Sequence, residues 1–241
     1  MRILVTRPAP DAAELAGKLA ARGHHPVLAP LLRIETIAGV PLSLEGAQAL
    51  LVTSRNALRA LAAHREAAAA FALPLLAVGE ATAGEALALG FTDVTAGPGT
   101  GAMLAKLVSE ELKPEQGPLV HLAGETLAFD FEAALQRQGF VVRQPVLYRA
   151  VAASEFPPEA LSRLKAETLD GAILMSPRTA RIFADLLAKH DAVTQATRLV
   201  CYCLSEAVAE ALIPLGFAVR VAAHPREEEV LALVDSEAAS S

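Results

Sequence analysis

The chain has no tryptophan, two tyrosines and two cysteines among 241 residues, and aromatic residues make up only 4% of it. Its cores must therefore be filled by Leu, Val and Ala rather than by rings. That suits helices packed on a parallel sheet, whose buried strands read as continuous aliphatic runs. The chain also lacks a basic excess: a formal charge of −6 leaves no basic face for a general nucleic-acid binder. An anionic substrate stays open, because a local cluster of donors can act against the global sign. No apolar run approaches the ~20 residues of a membrane-spanning helix. Met1-Arg2-Ile3-Leu4-Val5-Thr6 is too short in apolar residues for a secretion signal. Cys201 and Cys203 stand two apart on one strand, where a disulfide would be strained, so a reduced, cytoplasmic protein without membrane attachment is expected. With 53% hydrophobic residues, disorder is excluded for most of the length. That length suits one large α/β domain or two small ones.

What is present is a strand–turn–helix rhythm that repeats. Ile3-Leu4-Val5, a helical stretch to Gly23 and Val27-Leu28 parallel Leu119-Val120-His121-Leu122, a helical stretch to Gly139 and Val141-Val142. Leu50-Leu51-Val52-Thr53-Ser54 parallels Ile173-Leu174-Met175-Ser176-Pro177, and Leu75-Leu76-Ala77-Val78-Gly79 parallels Leu199 to Cys203. Strands alternating with helices argue for parallel βαβ units, and the duplication argues for two such domains. Segments near 33–38 and 145–152, at the Pro-containing aliphatic runs Pro30-Leu31-Leu32 and Pro145-Val146-Leu147-Tyr148, are linker candidates. Spacing alone would cut the chain into halves near residue 115. Glu227-Glu228-Glu229 opens a final helix with an acidic first turn, favourable with the helix dipole, and Glu237 to Ser241 reads as a frayed tail.

Parallel α/β sheets place ligands at the carboxyl ends of strands, where helix N-termini aim free N–H groups outward. Here those positions hold Thr6-Arg7, Thr53-Ser54, Gly79 to Thr82, Ala123-Gly124, Ser176-Pro177 and Leu204-Ser205. Amides and hydroxyls without paired catalytic carboxylates suit a ligand that carries several carboxylates itself. The bland alternative for each Ser and Thr is helix capping. Gly97-Pro98-Gly99-Thr100-Gly101 lacks the Gly-Lys-Ser/Thr ending of a phosphate loop and reads as a turn. His24-His25 has no clustered partners at metal-ligand spacing, so no metal site is expected.

Thr6-Arg7-Pro8, Val52-Thr53-Ser54 with Asn56-Ala57, Val78-Gly79 with Thr82, His121-Leu122 with Gly124, Val146-Leu147-Tyr148-Arg149 and Met175-Ser176-Pro177 occur in an order that resembles the uroporphyrinogen-III synthases. The resemblance runs from residue 3 to about residue 221. It implies two similar three-layer, parallel-sheet α/β domains joined by a two-stranded linker, with the active site in the interdomain cleft. It further implies that the first domain is discontinuous, 1–34 with 151–241, around a second at 37–146. The chain departs from the family at Ala123, where an Arg is common, and at Ser205, Ala207 and Val208, where glycine and threonine are usual. Backbone amides must then carry more of the carboxylate binding.

The implied reaction cyclises hydroxymethylbilane, a linear tetrapyrrole, to uroporphyrinogen III, losing water and inverting ring D through a spiro intermediate. It uses no cofactor, and the family works as a monomer that could take its substrate from hydroxymethylbilane synthase. Because the bilane closes unaided to isomer I, catalysis here is control of geometry more than acid–base power. The family match makes Tyr148 the candidate catalytic residue, as hydrogen-bond or proton donor to the departing hydroxyl. Arg7, with its forked donors, Thr53, Ser54, Gly79, Thr82, Gly124, Ser176 and Ser205 are the expected substrate-binding residues. The rival readings are a two-lobed small-molecule binding or sensor protein and a nucleotide-dependent transferase. The first usually carries a secretion signal or DNA-binding appendage, and the second needs a phosphate loop.

Overall fold

The computed structural model describes residues 1–239. Its strands are β1 (Arg2–Val5), β2 (His25–Leu28), β3 (Leu32–Thr36), β4 (Ala49–Val52), β5 (Leu75–Ala77), β6 (Val94–Ala96), β7 (Leu119–Gly124), β8 (Val142–Arg143), β9 (Val146–Ala152), β10 (Gly171–Leu174), β11 (Val200–Cys203) and β12 (Ala218–Val221). The chain separates into two compact units. One is Met1–Arg33 with the segment from Val151 onward, and the other is Ile34–Ala150.

The discontinuous unit is built on a parallel sheet of order β12-β11-β10-β1-β2. Side chains alternate across it. Leu4, Ala172, Leu174, Cys201 and Cys203 face one core, shared with helices Pro158–Lys165 and Pro177–Lys189. Ile3, Val5, Ile173 and Tyr202 face the other, shared with helices Asp11–Ala21 and Glu227–Ala239. Both faces are covered, so apolar residues fill both sides of the central strands, as a parallel sheet between two helical layers requires.

The Ile34–Ala150 unit repeats that plan. Its sheet runs β3-β9-β7-β4-β5-β6, and β8 also pairs with β7. Leu50, Val52, Leu75, Ala77, Val120 and Leu122 pack under helices Arg55–Ala62 and Glu80–Leu89. Leu51, Leu76 and Leu119 pack under helices Gly101–Glu111 and Phe131–Gln136. Counted from β4, the strands β4 to β8 lie in the order 3-2-1-4-5, and so do β10, β11, β12, β1 and β2. The duplicated sequence segments thus occupy equivalent places in two doubly wound sheets. The cut near residue 115 suggested by spacing is overturned, because β1 pairs in parallel with β10, far along the chain.

The chain passes between the units along β3 and β9, which are neighbours in the sheet. Ile37 N–H donates to the Leu147 carbonyl at 2.8 Å, and Ala153 N–H to that of Leu31 at 3.0 Å, which sets the pair antiparallel. Helix boundaries follow local chemistry. Ser54, Thr100, Asp130 and Ser176 accept backbone N–H bonds at N-termini. Pro177 fits a first turn that needs no N–H. Gly90, at φ 104°, ends its helix in a left-handed conformation that a side chain would disfavour. The frayed tail expected from Glu237 is corrected: the last helix runs to Ala239, and Glu237 pairs with Arg220 at 3.0 Å. Ser240 and Ser241 lie outside the described residues. Among the described residues, no helix is long and apolar enough to cross a membrane.

Candidate active site

The topology fixes where a ligand can sit. In a sheet of order 3-2-1-4-5, the connections leaving the first and fourth strands diverge to opposite faces and open a crevice at their carboxyl ends. In the Ile34–Ala150 unit these strands are β4 and β7. There the structure has a pocket of about 610 Å³, which Thr53 and Ser54 line from β4 and His121 and Gly124 from β7.

Tyr148, on β9, closes one side of this pocket. β9 pairs with the end of β7 through a register irregularity that sets Gly124 opposite Tyr148. A Cβ on Gly124 would lie 2.6 Å from Tyr148 Cζ and 2.8 Å from its hydroxyl oxygen, so only glycine lets the phenol lie there unshifted. Glu125 N–H donates to the Tyr148 carbonyl at 2.9 Å and fixes the backbone beneath the ring. Among the described residues, the Tyr148 hydroxyl has no hydrogen-bond partner. It is therefore free to donate to a ligand oxygen.

Apart from Val78, the rest of the wall comes from two segments to which sequence reasoning assigned no function. Gly99, Thr100, Gly101 and Ala102 bring the start of helix Gly101–Glu111 to the pocket, and Thr126 to Phe129 follow β7 across it. The glycine-rich stretch read as a mere turn is thus part of the wall. Gly101 is required because a Cβ there would meet Phe129 Cβ at 2.5 Å. The signal for this segment was a glycine-rich run ending in a Thr cap before a helix. None of the lining residues is Asp, Glu, Lys or Arg. What the walls offer is hydroxyls, backbone amides at a helix N-terminus, and one imidazole, His121. Burial holds the His121 pKa below the usual histidine range, against a smaller opposing effect of its hydrogen bond to Gln144.

Of the expected site residues, the structure brings Thr53, Ser54, Gly124 and Tyr148 into this one pocket. Gly79 caps helix Glu80–Leu89 and abuts the turn at Gly97 to Gly99, outside the lining. Thr82 is buried one turn into that helix, also outside it. In the other unit, Arg7 and Ser176 line a smaller pocket of about 160 Å³ with Thr6, Met175 and Thr179, at the ends of β1 and β10. These are the equivalent first and fourth strands of that sheet. Ser205 begins the short helix Glu206–Ala209 without a side-chain capping bond and lines neither pocket. Arg7 already has acidic partners. Its guanidinium is ion-paired with Glu227 and, at 3.0 Å, with Asp11. A substrate carboxylate would have to displace acids already in place, because a fork with two carboxylates bound has few donors left. The other unabsorbed residues have structural roles. His24 ring nitrogens lie 2.9 Å from Asp235 and 3.4 Å from the N-terminal amine. Burial raises both thiol pKa values, that of Cys203 to about 12, which leaves the thiols unreactive.

Ser54 has a capping role that can be separated from ligand binding. Its Oγ accepts from Asn56 N–H at 3.1 Å. Ser54→Ala should cost about 1 kcal/mol of stability in urea unfolding. Ser54→Asp should restore the cap, yet weaken binding of an anionic substrate by placing a charge on the pocket wall. Unchanged substrate affinity in the Asp variant would remove Ser54 from the site.

A family model described as uroporphyrinogen-III synthase HemD matches residues 13–232 of the chain. No curated protein sequence matches it significantly. Among solved structures, the uroporphyrinogen-III synthetase of Helicobacter pylori is similar over 98% of this chain and 100% of its own, with 18% identity and a TM-score of 0.66. A mutant uroporphyrinogen III synthase of Thermus thermophilus is similar over 100% of both chains, with 20% identity and a TM-score of 0.55. At these identities the structures speak for the fold, while the family model, spanning nearly the whole chain, speaks for kinship. The chain belongs to the uroporphyrinogen-III synthase family.

Proposed function

We propose that this protein converts hydroxymethylbilane to uroporphyrinogen III and that the Tyr148 pocket of the Ile34–Ala150 unit holds the reacting end of the substrate. The observation that carries the assignment is the phenol seated on Gly124, in a pocket whose walls, among the described residues, hold no charged side chain. The Tyr148 hydroxyl donates to the substrate's terminal hydroxyl, which leaves as water, and the pyrrole left behind becomes an azafulvene cation. Ring D then attacks that cation through its substituted carbon, giving the spiro intermediate. The bond from that carbon to the ring C methylene then breaks, leaving an azafulvene cation on ring C. The methylene recloses on ring D's other α carbon, which loses its proton, and the ring is inverted.

The pocket's contribution is to hold the bilane so that this attack outruns closure to isomer I. Backbone N–H groups at the start of helix Gly101–Glu111 and the hydroxyls of Thr53, Thr100 and Thr126 are suited to substrate carboxylates. In the other unit, the smaller pocket adds the hydroxyls of Ser176 and Thr179, while its Arg7 is already held by Asp11 and Glu227.

The same reading has the chain working as a monomer in the cytoplasm and receiving its substrate from hydroxymethylbilane synthase. Two buried free thiols support a reducing compartment. The large exposed apolar side chains, Leu28, Leu87, Met103, Leu127, Val141 and Ile213, are scattered along the sequence, as single exposed apolar residues are on monomeric proteins. The deciding experiment is incubation with enzymatically generated hydroxymethylbilane, oxidation, and chromatographic separation of uroporphyrin isomers. Isomer III is the expected product. Isomer I alone would overturn the reading in favour of a binding protein.

A further inference from the structure

His121 sits on β7 at 1% exposure and is nevertheless part of the pocket wall. Its Nδ1 lies 2.9 Å from Gln144 Oε1. An amide oxygen only accepts, so Nδ1 carries the ring hydrogen and Nε2 is left with a bare lone pair. Among the described residues, that buried nitrogen has no partner. Phe131, its centroid 4.7 Å from that of His121, fixes the plane of the imidazole. Burial disfavours the imidazolium, so the lone pair is not lost to a proton near neutrality.

A buried acceptor left unsatisfied is destabilising, and the place of His121 in the pocket wall offers a way to recover that energy on binding. The surrounding groups define the complementary ligand. Hydroxyls and helix-terminal amides meet carboxylates, whereas a neutral imine-type nitrogen can only receive a hydrogen. A flat, neutral N–H donor that bears acidic substituents satisfies both requirements, and a carboxylated pyrrole is such a group.

We propose that His121 Nε2 accepts a hydrogen bond from a pyrrole N–H of the bound substrate and thereby orients that ring in the pocket, a role that rests on the function proposed above. Gln144 acts through His121, as the residue that fixes its tautomer.

The test uses a monopyrrole bearing acetate and propionate groups, and its N-methyl analogue, titrated calorimetrically into the intact protein. The N–H compound should bind about tenfold more tightly than the N-methyl one, and His121→Phe should abolish that preference. In the unmodified protein, the ¹⁵N resonance of His121 Nε2 should move on addition of the N–H compound and stay in place with the N-methyl one. This measurement decides the matter even if the variant fails to fold. Equal binding of the two compounds, a preference that persists in His121→Phe, or an unmoved resonance overturns the role of His121 and leaves the function standing. Binding of neither compound overturns it together with the assignment of this pocket to pyrroles.

Discussion

Tyr148→Phe is expected to lower the rate of uroporphyrinogen III formation by about a hundredfold, the lower end of what a positioned proton donor contributes. The ring fills the same space in the variant, so the seat on Gly124 and the strand pairing beneath it are kept. Only the unpartnered hydroxyl is lost, and no buried partner is orphaned with it. Stability should therefore hardly change. Isomer composition gives the experiment its own control, because bilane that escapes the enzyme closes spontaneously to isomer I. The fraction of isomer I should rise as the enzymatic rate falls. Unchanged turnover with an unchanged isomer ratio would remove Tyr148 from the chemistry and leave it a ring lining the pocket.

Gly124→Ala should reach a similar loss by a different route. Its backbone does not need a left-handed conformation, so the added methyl is not strained in itself. The methyl instead meets Tyr148 Cζ at 2.6 Å, its hydroxyl at 2.8 Å and Cε2 at 2.9 Å. These atoms are the far end of a side chain open to the pocket, so the ring can swing away. Accommodating the methyl should cost no more than about 1–3 kcal/mol, the usual range for overpacking. The hydroxyl, however, is moved from the position where it meets the leaving oxygen. Activity should therefore fall roughly as in Tyr148→Phe, while urea unfolding shows a small shift. The double variant should be little worse than either single one, since both remove the same contact. Additive losses would mean that Gly124 acts on the substrate independently of Tyr148.

These predictions bear on positions that the sequence and the structure reveal to different degrees. The aliphatic runs Leu50-Leu51-Val52 and Ile173-Leu174, each followed by a Ser and a helix, were readable as buried parallel strands. They lie under helices on both faces, and burial leaves no polar alternation to confuse the pattern. Capping by Ser54 and Ser176 was likewise a local matter. The ion pairs of Arg7 were not legible, for the opposite reason. One of its carboxylate partners, Asp11, is near in sequence, but Glu227 lies 220 residues away. Thr82 and Gly79 were placed correctly at a helix start, yet a helix start does not reveal which of its sides meets solvent. The wall segments Thr100 to Ala102 and Thr126 to Phe129 are set only by crossover connections, and no local pattern marks them as neighbours.

The sequence by itself determined the class of fold, its duplication, the family, and four residues of the pocket: Thr53, Ser54, Gly124 and Tyr148. Each is written in short-range terms, as a strand followed by a cap or as an ordered set of motifs. Tertiary structure alone decided that β1 lies beside β10, that Arg7 is engaged by Glu227, and that Tyr148 rests on Gly124. It alone left His121, in the pocket wall, with a buried Nε2 that has no partner among the described residues. The physical reason is that each depends on chain segments far apart in sequence. Contacts across a parallel sheet join strands separated by whole helices, and neither side-chain spacing nor local propensity records which strands will meet.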